Sequence, residues 1–111
     1  MRVDKLLDKL NIPYAEDEFK AYKDQKVPSP PYIVYKEDNE YLNGGDFVNT
    51  KAVRSYSIEL YTFKRDREIE QRIMSLLNGM EVSIYRENLS DKRLHLTLFE
   101  FEVTEKIKEE F

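Results

Sequence analysis

The side chains of this chain that could take part in acid or base chemistry are a single histidine and many carboxylates. His95 is the only histidine, and it stands among leucines and Thr97 in a stretch that alternates like a β-strand. A catalytic base there would need partner groups, so we interpret His95 as a structural residue at the margin of the core. The chain has no cysteine, which excludes a cysteine nucleophile, a disulfide and a thiolate metal site.

The carboxylates occur mainly in short charged runs, such as residues 16 to 18, Glu37-Asp38 and Glu109-Glu110. Acids in such runs are usually solvated surface, and no spacing here matches a calcium loop. We therefore predict no enzyme activity, no metal site and no cofactor. The formal charge of −4 and the pI near 5.1 also lack the basic footprint that nucleic-acid binding needs.

Glycines and tyrosines could in principle bind phosphates or bases. The segment Asn43-Gly44-Gly45-Asp46 lacks the lysine of a phosphate-binding loop and lies between two predicted strands, not before a helix. Single-strand binders combine aromatic residues with a positive groove, which this acidic chain does not indicate. We interpret the eight tyrosines mainly as cross-strand packing.

The elements that would position these groups begin with a short amphipathic helix over about residues 3 to 11, which Pro13 prevents from continuing. The segment from Ile12 to Tyr22 fits either a strand or a helical turn, and we favour a strand that begins near Ile12. Tyr32 to Lys36 is β-branched and aromatic, which predicts a core strand.

The second half of the chain has clearer patterns. Residues 54 to 63 alternate, with Tyr56, Ile58, Leu60 and Thr62 on one face. Asp66 can cap a helix that ends near Asn78-Gly79, and residues 80 to 87 and 94 to 103 predict a hairpin. The sequence therefore predicts one α+β domain over 1–111, with a small mixed or antiparallel sheet and two helices packed on one face.

The last predicted strand has apolar residues on both faces, with Leu94, Leu96 and Leu98 on one and Phe99, Phe101 and Val103 on the other. Two explanations stay open: either both faces are covered, or a bulge shifts the phase near Leu98. Residues 104–111 are predicted to form a charged C-terminal tail.

Between the tyrosine-rich strands, the turn-rich residues 37–52 predict a long loop, and loops of that length are usually functional or disordered. The loop contains four apolar residues, which either dock against a subunit or tail-tube partner or fold back over their own core. These candidate interface residues are Tyr41, Leu42, Phe47 and Val48.

The most distinctive pattern is Pro31-Tyr32-Ile33-Val34-Tyr35, a polar loop, and then Tyr56-Ser57-Ile58-Glu59-Leu60-Tyr61-Thr62 with Lys64 and a helix containing Glu68 and Glu70. This pattern resembles the small tail-completion proteins encoded by long-tailed phages and prophages of Gram-positive bacteria. The resemblance continues through Glu87 and residues 99 to 102, and it covers roughly residues 30 to 105.

The resemblance implies a tail-terminator-like fold that assembles as a hexameric ring. Such a ring would cap the tail tube, stop its polymerisation and join the tail to the head connector or stopper protein. DNA would only pass through the ring, and an acidic lining would repel the duplex. The protein would be in the host cytoplasm during assembly and then in the tail or neck of the virion.

The sequence contains no apolar run of the ~20 residues needed to span a bilayer and no signal-peptide core, so we expect a soluble protein without a membrane partner. Two other function classes stay open. The chain could be a head-closure or stopper protein of the same neck, or a non-viral protein-binding module. An enzyme is the least favoured class.

Overall fold

The residues that the structure describes form a mixed five-stranded sheet and two α-helices, which agrees with the predicted α+β class. The computed structural model describes residues 1–19, 27–45 and 48–106. The elements are, in chain order, α1 (Val3–Leu7), a 3-10 turn (Asp8–Leu10), β1 (Tyr14–Glu16), β2 (Tyr32–Gly45), β3 (Val48–Thr62), α2 (Arg67–Leu76), β4 (Val82–Leu89) and β5 (Leu94–Lys106). The strand order is β1-β2-β3-β5-β4, and β1 is parallel to β2 while the other neighbours are antiparallel.

The two helices begin and end close to the predicted residues. α1 and the 3-10 turn end at Asn11, which has a left-handed backbone (φ 61°). α2 begins after Asp66, whose carboxylate accepts a hydrogen bond from the backbone N–H of Ile69 at 3.1 Å, as predicted. Gly79, with φ +87°, follows its end. No helix of the described residues is long and apolar enough to cross a membrane.

Both helices pack on the same face of the sheet. β3 and β4 run parallel on either side of β5, so α2 forms the crossover between them and covers one face. We call this side the helix face and the other side the open face. The helices and the helix face share one core, which contains Val3, Leu7, Leu10, Ile33, Tyr56, Ile58, Leu60, Ile73, Leu77, Phe99 and Phe101.

The predicted alternation of β3 is confirmed, because Tyr56, Ile58, Leu60 and Thr62 are all buried on the helix face. For β5, the pairing with β3 runs without a shift from His95 to Lys106, so the predicted alternative of a bulge near Leu98 is wrong. Phe99 and Phe101 lie on the helix face. The leucines at 96 and 98 are half-buried on the open face.

The prediction of a long loop over residues 37–52 is wrong. β2 continues to Gly45 and β3 begins at Val48, so these residues form the two arms of an antiparallel hairpin. The arms consist mostly of polar residues and contain register shifts between Glu37 and Asn39 and between Asn43 and Gly44. Register shifts and polar residues interrupt apolar alternation, which is why the composition of this segment is like that of a loop.

Two other segment boundaries differ from the predictions. The strand predicted to begin near Ile12 begins at Tyr14 and pairs with β2 over three residues. Residues 104–106 belong to β5 instead of a charged tail, because they extend the ladder with β3. The rest of the predicted tail, residues 107–111, lies outside the described residues.

The β2–β3 hairpin makes the molecule long. β5 accompanies β3 only as far as the Lys51–Lys106 pair, and beyond it the hairpin is a two-stranded ribbon. The Cα radius of gyration is 16.3 Å and the extents are 52 × 34 × 26 Å. A compact chain of this length has a radius of about 13 Å. The β2–β3 hairpin, flanked by the end of β5, therefore projects from the helix-covered body.

Candidate interaction surface

The projecting hairpin carries the candidate interface residues that the structure describes. Tyr41 lies opposite Val53 and Leu42 lies opposite Ala52, so these two consecutive side chains point to opposite faces of the sheet, where β5 still flanks β3. They are 53% and 48% exposed. Phe47 lies outside the described residues, and Val48 is the first residue of β3. The structure thus places Tyr41 and Leu42 together on one arm.

Charged groups fix the base of this hairpin. The Arg54 guanidinium on β3 is 2.7 Å from the Glu40 carboxylate and 3.1 Å from that of Glu105 on β5. The amino group of Met1 also contacts Glu105. This hydrogen bond, followed by the charges of the amino group and Arg54, holds the pKa of Glu105 below its usual range. The network ties β2, β3, β5 and the N-terminus together at this end of the sheet.

No described element covers the open face of the sheet. The strand positions of this face whose side chains are described carry two lysines against five acids, a balance of 2 − 5 = −3. The open face is therefore acidic. The charged residues are Lys36, Lys51, Asp38, Glu59, Glu87, Glu100 and Glu102.

The acids of the open face are mostly left without a cation. Lys36 pairs with Glu59 at 3.2 Å. Ser57 donates a hydrogen bond to Asp38 at 3.4 Å, but among the described side chains no Lys or Arg lies within ion-pair distance of Asp38, Glu100 or Glu102. These acids line an open cavity of about 820 Å³, and the surface suits a cationic partner.

Most tyrosines of the strands are packing residues, as predicted, whereas Tyr41 and Tyr85 are more than half exposed. Tyr32 and Tyr61 are cross-strand partners whose rings stack at 5.0 Å, and Phe19 meets Tyr32 edge-on at 5.5 Å. On the helix face, Tyr56 stacks on Phe101 at 5.6 Å. Burial, followed by a 2.6 Å hydrogen bond that the Tyr61 hydroxyl donates to a neighbouring carboxylate, raises the pKa of Tyr61.

A buried carboxylate under α2 was not predicted. Glu70 is only 4% exposed, and it accepts hydrogen bonds from Arg86 at 2.8 Å and Thr97 at 3.0 Å, with Arg65 at 3.3 Å. Burial alone would raise the pKa of Glu70, but the hydrogen bonds from Arg86, Arg65 and Thr97 outweigh it, and the pKa lies below its usual value. A signal existed, because residues 70, 73 and 77 share one helical stripe.

His95 occupies the place expected of a structural histidine. It is buried on the helix face, and its Nδ1 is 2.9 Å from Asn88 Oδ1. Its Nε2 and the hydroxyl of Thr62, its cross-strand neighbour, have no hydrogen-bond partner within the described ranges. No group of three or more metal-ligating side chains occurs there either.

Comparison with known proteins adds no family assignment. The sequence matches no protein-family model and no curated protein.

Proposed function

We propose that this chain is a tail-completion protein of a long-tailed phage or prophage, which caps the tail tube and joins the tail to the head connector as a hexameric ring. The observation that carries the proposal is the projecting β2–β3 hairpin with Tyr41 and Leu42 about half exposed on its two faces. The tyrosine-rich segments of β2 and β3 carry the resemblance to tail-completion proteins, and the hairpin is the continuation of these two strands.

A projecting end of a sheet with apolar residues on both faces is suited to contact with another protein. Full burial of such side chains contributes about 1.5–3 kcal/mol each, so covering the exposed half of Tyr41 and of Leu42 would contribute roughly 1 kcal/mol each. A single contact of this size is weak. In a ring the same contact repeats in every subunit, so the sum is sufficient to hold a cap on a tube of matching symmetry.

The two faces of the sheet also favour a ring. The helix face and the open face differ in shape and charge, so a contact between the helix face of one copy and the open face of another is heterologous. Heterologous contacts form a closed ring when the rotation from one copy to the next adds up to a full turn. The formal charge of −4 suits a ring through which DNA passes without being held.

The proposal is tested by co-sedimentation of the purified protein with purified tail tubes. The test variant is Tyr41→Ser with Leu42→Ser, and the matched control is Phe63→Ser, which replaces a 67% exposed aromatic residue just beyond the other end of β3. We expect the wild type and the control to sediment with the tubes and the hairpin variant to remain in the supernatant.

Wild-type protein that does not bind tail tubes would contradict the proposal. Binding to DNA-filled heads but not to tail tubes would instead assign the chain to head closure. If the hairpin variant bound as well as the wild type, the hairpin would not be the contact.

A further inference from the structure

The surface of α2 that points away from the core is the electrostatic opposite of the open face. From Lys64 to Leu76 the chain has four basic residues and three acidic ones. Of the acids, Glu70 is buried and Asp66 caps the helix, which leaves Glu68 as the exposed acid of α2. Of the basic residues, Arg65 pairs with Glu70 at 3.3 Å and Arg72 donates a hydrogen bond to the Leu10 carbonyl at 2.9 Å. The exposed residues Lys64 and Arg67 therefore make the outer surface basic around the start of α2.

Each of these two surfaces also has an exposed apolar residue. On the open face Tyr85 is 55% exposed and lies directly opposite the half-buried Leu98. On α2 Met74 is 38% exposed and lines an open groove with Gln71 and Ser75. Methionine sulfur against an aromatic ring is a favourable contact, and an apolar centre with a charged rim is the usual arrangement of a protein interface.

The dimensions of the two surfaces agree. α2 has ten residues, which gives a length of about 15 Å. In the sheet, β2 and β4 are three strand-to-strand spacings apart, which is about 14 Å. A helix of this size laid across the open face would reach from β2 to β4 and cover the part of the sheet around Tyr85. That part of the sheet would then be buried on both sides, as in three-layer architectures.

We propose that the open face of one copy binds the outer surface of α2 of a second copy, and that this contact, which rests on the proposed function, is the subunit interface of the ring. The acids Glu100 and Glu102 of one copy meet Lys64 and Arg67 of the next, around the pair of Tyr85 and Met74. The two surfaces lie on opposite sides of each copy. Each copy therefore uses one surface for each neighbour, and the assembly propagates head to tail.

Charge reversal tests the interface through self-association of the full chain. The face variant is Glu100→Lys with Glu102→Lys, and the helix variant is Lys64→Glu with Arg67→Glu. By sedimentation velocity in low salt, we expect the wild type to associate and each variant to associate at least about tenfold more weakly. An equimolar mixture of the two variants should associate again, because each supplies the surface that the other needs. High salt should weaken association of the wild type.

The matched control is Lys5→Glu with Lys9→Glu, which reverses two exposed basic residues of the first helical segment and should associate like the wild type. Thermal unfolding of each variant checks that it folds. A wild type that stays monomeric in low salt, a single-surface variant that associates normally, or a mixture that fails to recover would each overturn this interface.

The tube co-sedimentation assay separates this inference from the proposed function. A protein that binds tail tubes although charge reversal leaves its self-association unchanged would overturn the interface and leave the function standing. A protein that associates through these two surfaces but does not bind tubes would support the interface and contradict the function.

Discussion

Replacing Glu70 with glutamine should destabilise the protein although the side chain keeps its size. In the native state the Glu70 carboxylate is buried and accepts hydrogen bonds from Arg86, Arg65 and Thr97. The neutral amide keeps one acceptor oxygen, but it presents an N–H group to at least one of these donors and removes the negative charge between the two guanidinium groups.

The expected loss of stability depends on how far the two arginines that contact Glu70 are exposed to water. Breaking a fully buried pair costs about 3–5 kcal/mol, but Arg65 and Arg86 are 38% and 36% exposed, so water can solvate both once Glu70 is gone. Each charge-assisted hydrogen bond contributes about 1.5 kcal/mol or more, which for a partly screened site gives a total near 2 kcal/mol. For a chain of this size, that lowers Tm by about 10 °C.

Urea and thermal unfolding measure this effect, with Glu68→Gln as the control because Glu68 is exposed on the same helix. We expect the free energy of unfolding of the control to stay within about 0.5 kcal/mol of the wild type. A cycle that combines Glu70→Gln with Thr97→Val should show that the two losses are not additive. If Glu70→Gln changes the stability as little as the control does, the reasoning about the buried network is refuted.

Three further outcomes test the fold. Asp66→Ala removes the hydrogen bond that caps α2 and should cost about 1 kcal/mol in urea unfolding, whereas Asp66→Asn should cost less. Ile73→Ala removes a fully buried side chain from the core and should cost about 3–4 kcal/mol; a loss below 1 kcal/mol would mean that α2 is not packed there. The folded pKa of Glu70 is lowered, so its contribution is complete above pH 4.5, its ordinary pKa, and is lost as the pH falls through the folded value. The unfolding free energy of the wild type should therefore fall more steeply than that of Glu70→Gln below that pH, and parallel curves would contradict this.

Elements with a buried side could be predicted from the sequence. The alternation of Tyr56, Ile58 and Leu60 and the cap at Asp66 are local signals that the tertiary structure reinforces, so β3 and the start of α2 lie where the pattern predicts them. The cross-strand role of the tyrosines followed in the same way, because Tyr32 and Tyr61 lie in strands that were recognisable from their composition.

Two features could not be predicted because their signals are non-local. The strand residues between Glu37 and Ala52 pair within the β2–β3 hairpin, where their mostly polar composition and two register shifts leave no periodicity that distinguishes strands from a loop. Glu70 is buried only because Arg86 and Thr97, from strands far along the chain, supply its hydrogen bonds. A charged residue in a helix is normally solvated, and the sequence alone does not bring these partners together.

Electron microscopy of particles assembled without this protein tests the proposed function most directly. The comparison needs the phage or prophage that encodes the chain, with its gene deleted and then restored on a plasmid. We predict overlong tails, or tails that never join heads, and recovery of normal particles on restoration. Tails of normal length joined to full heads in the deletion would contradict the account.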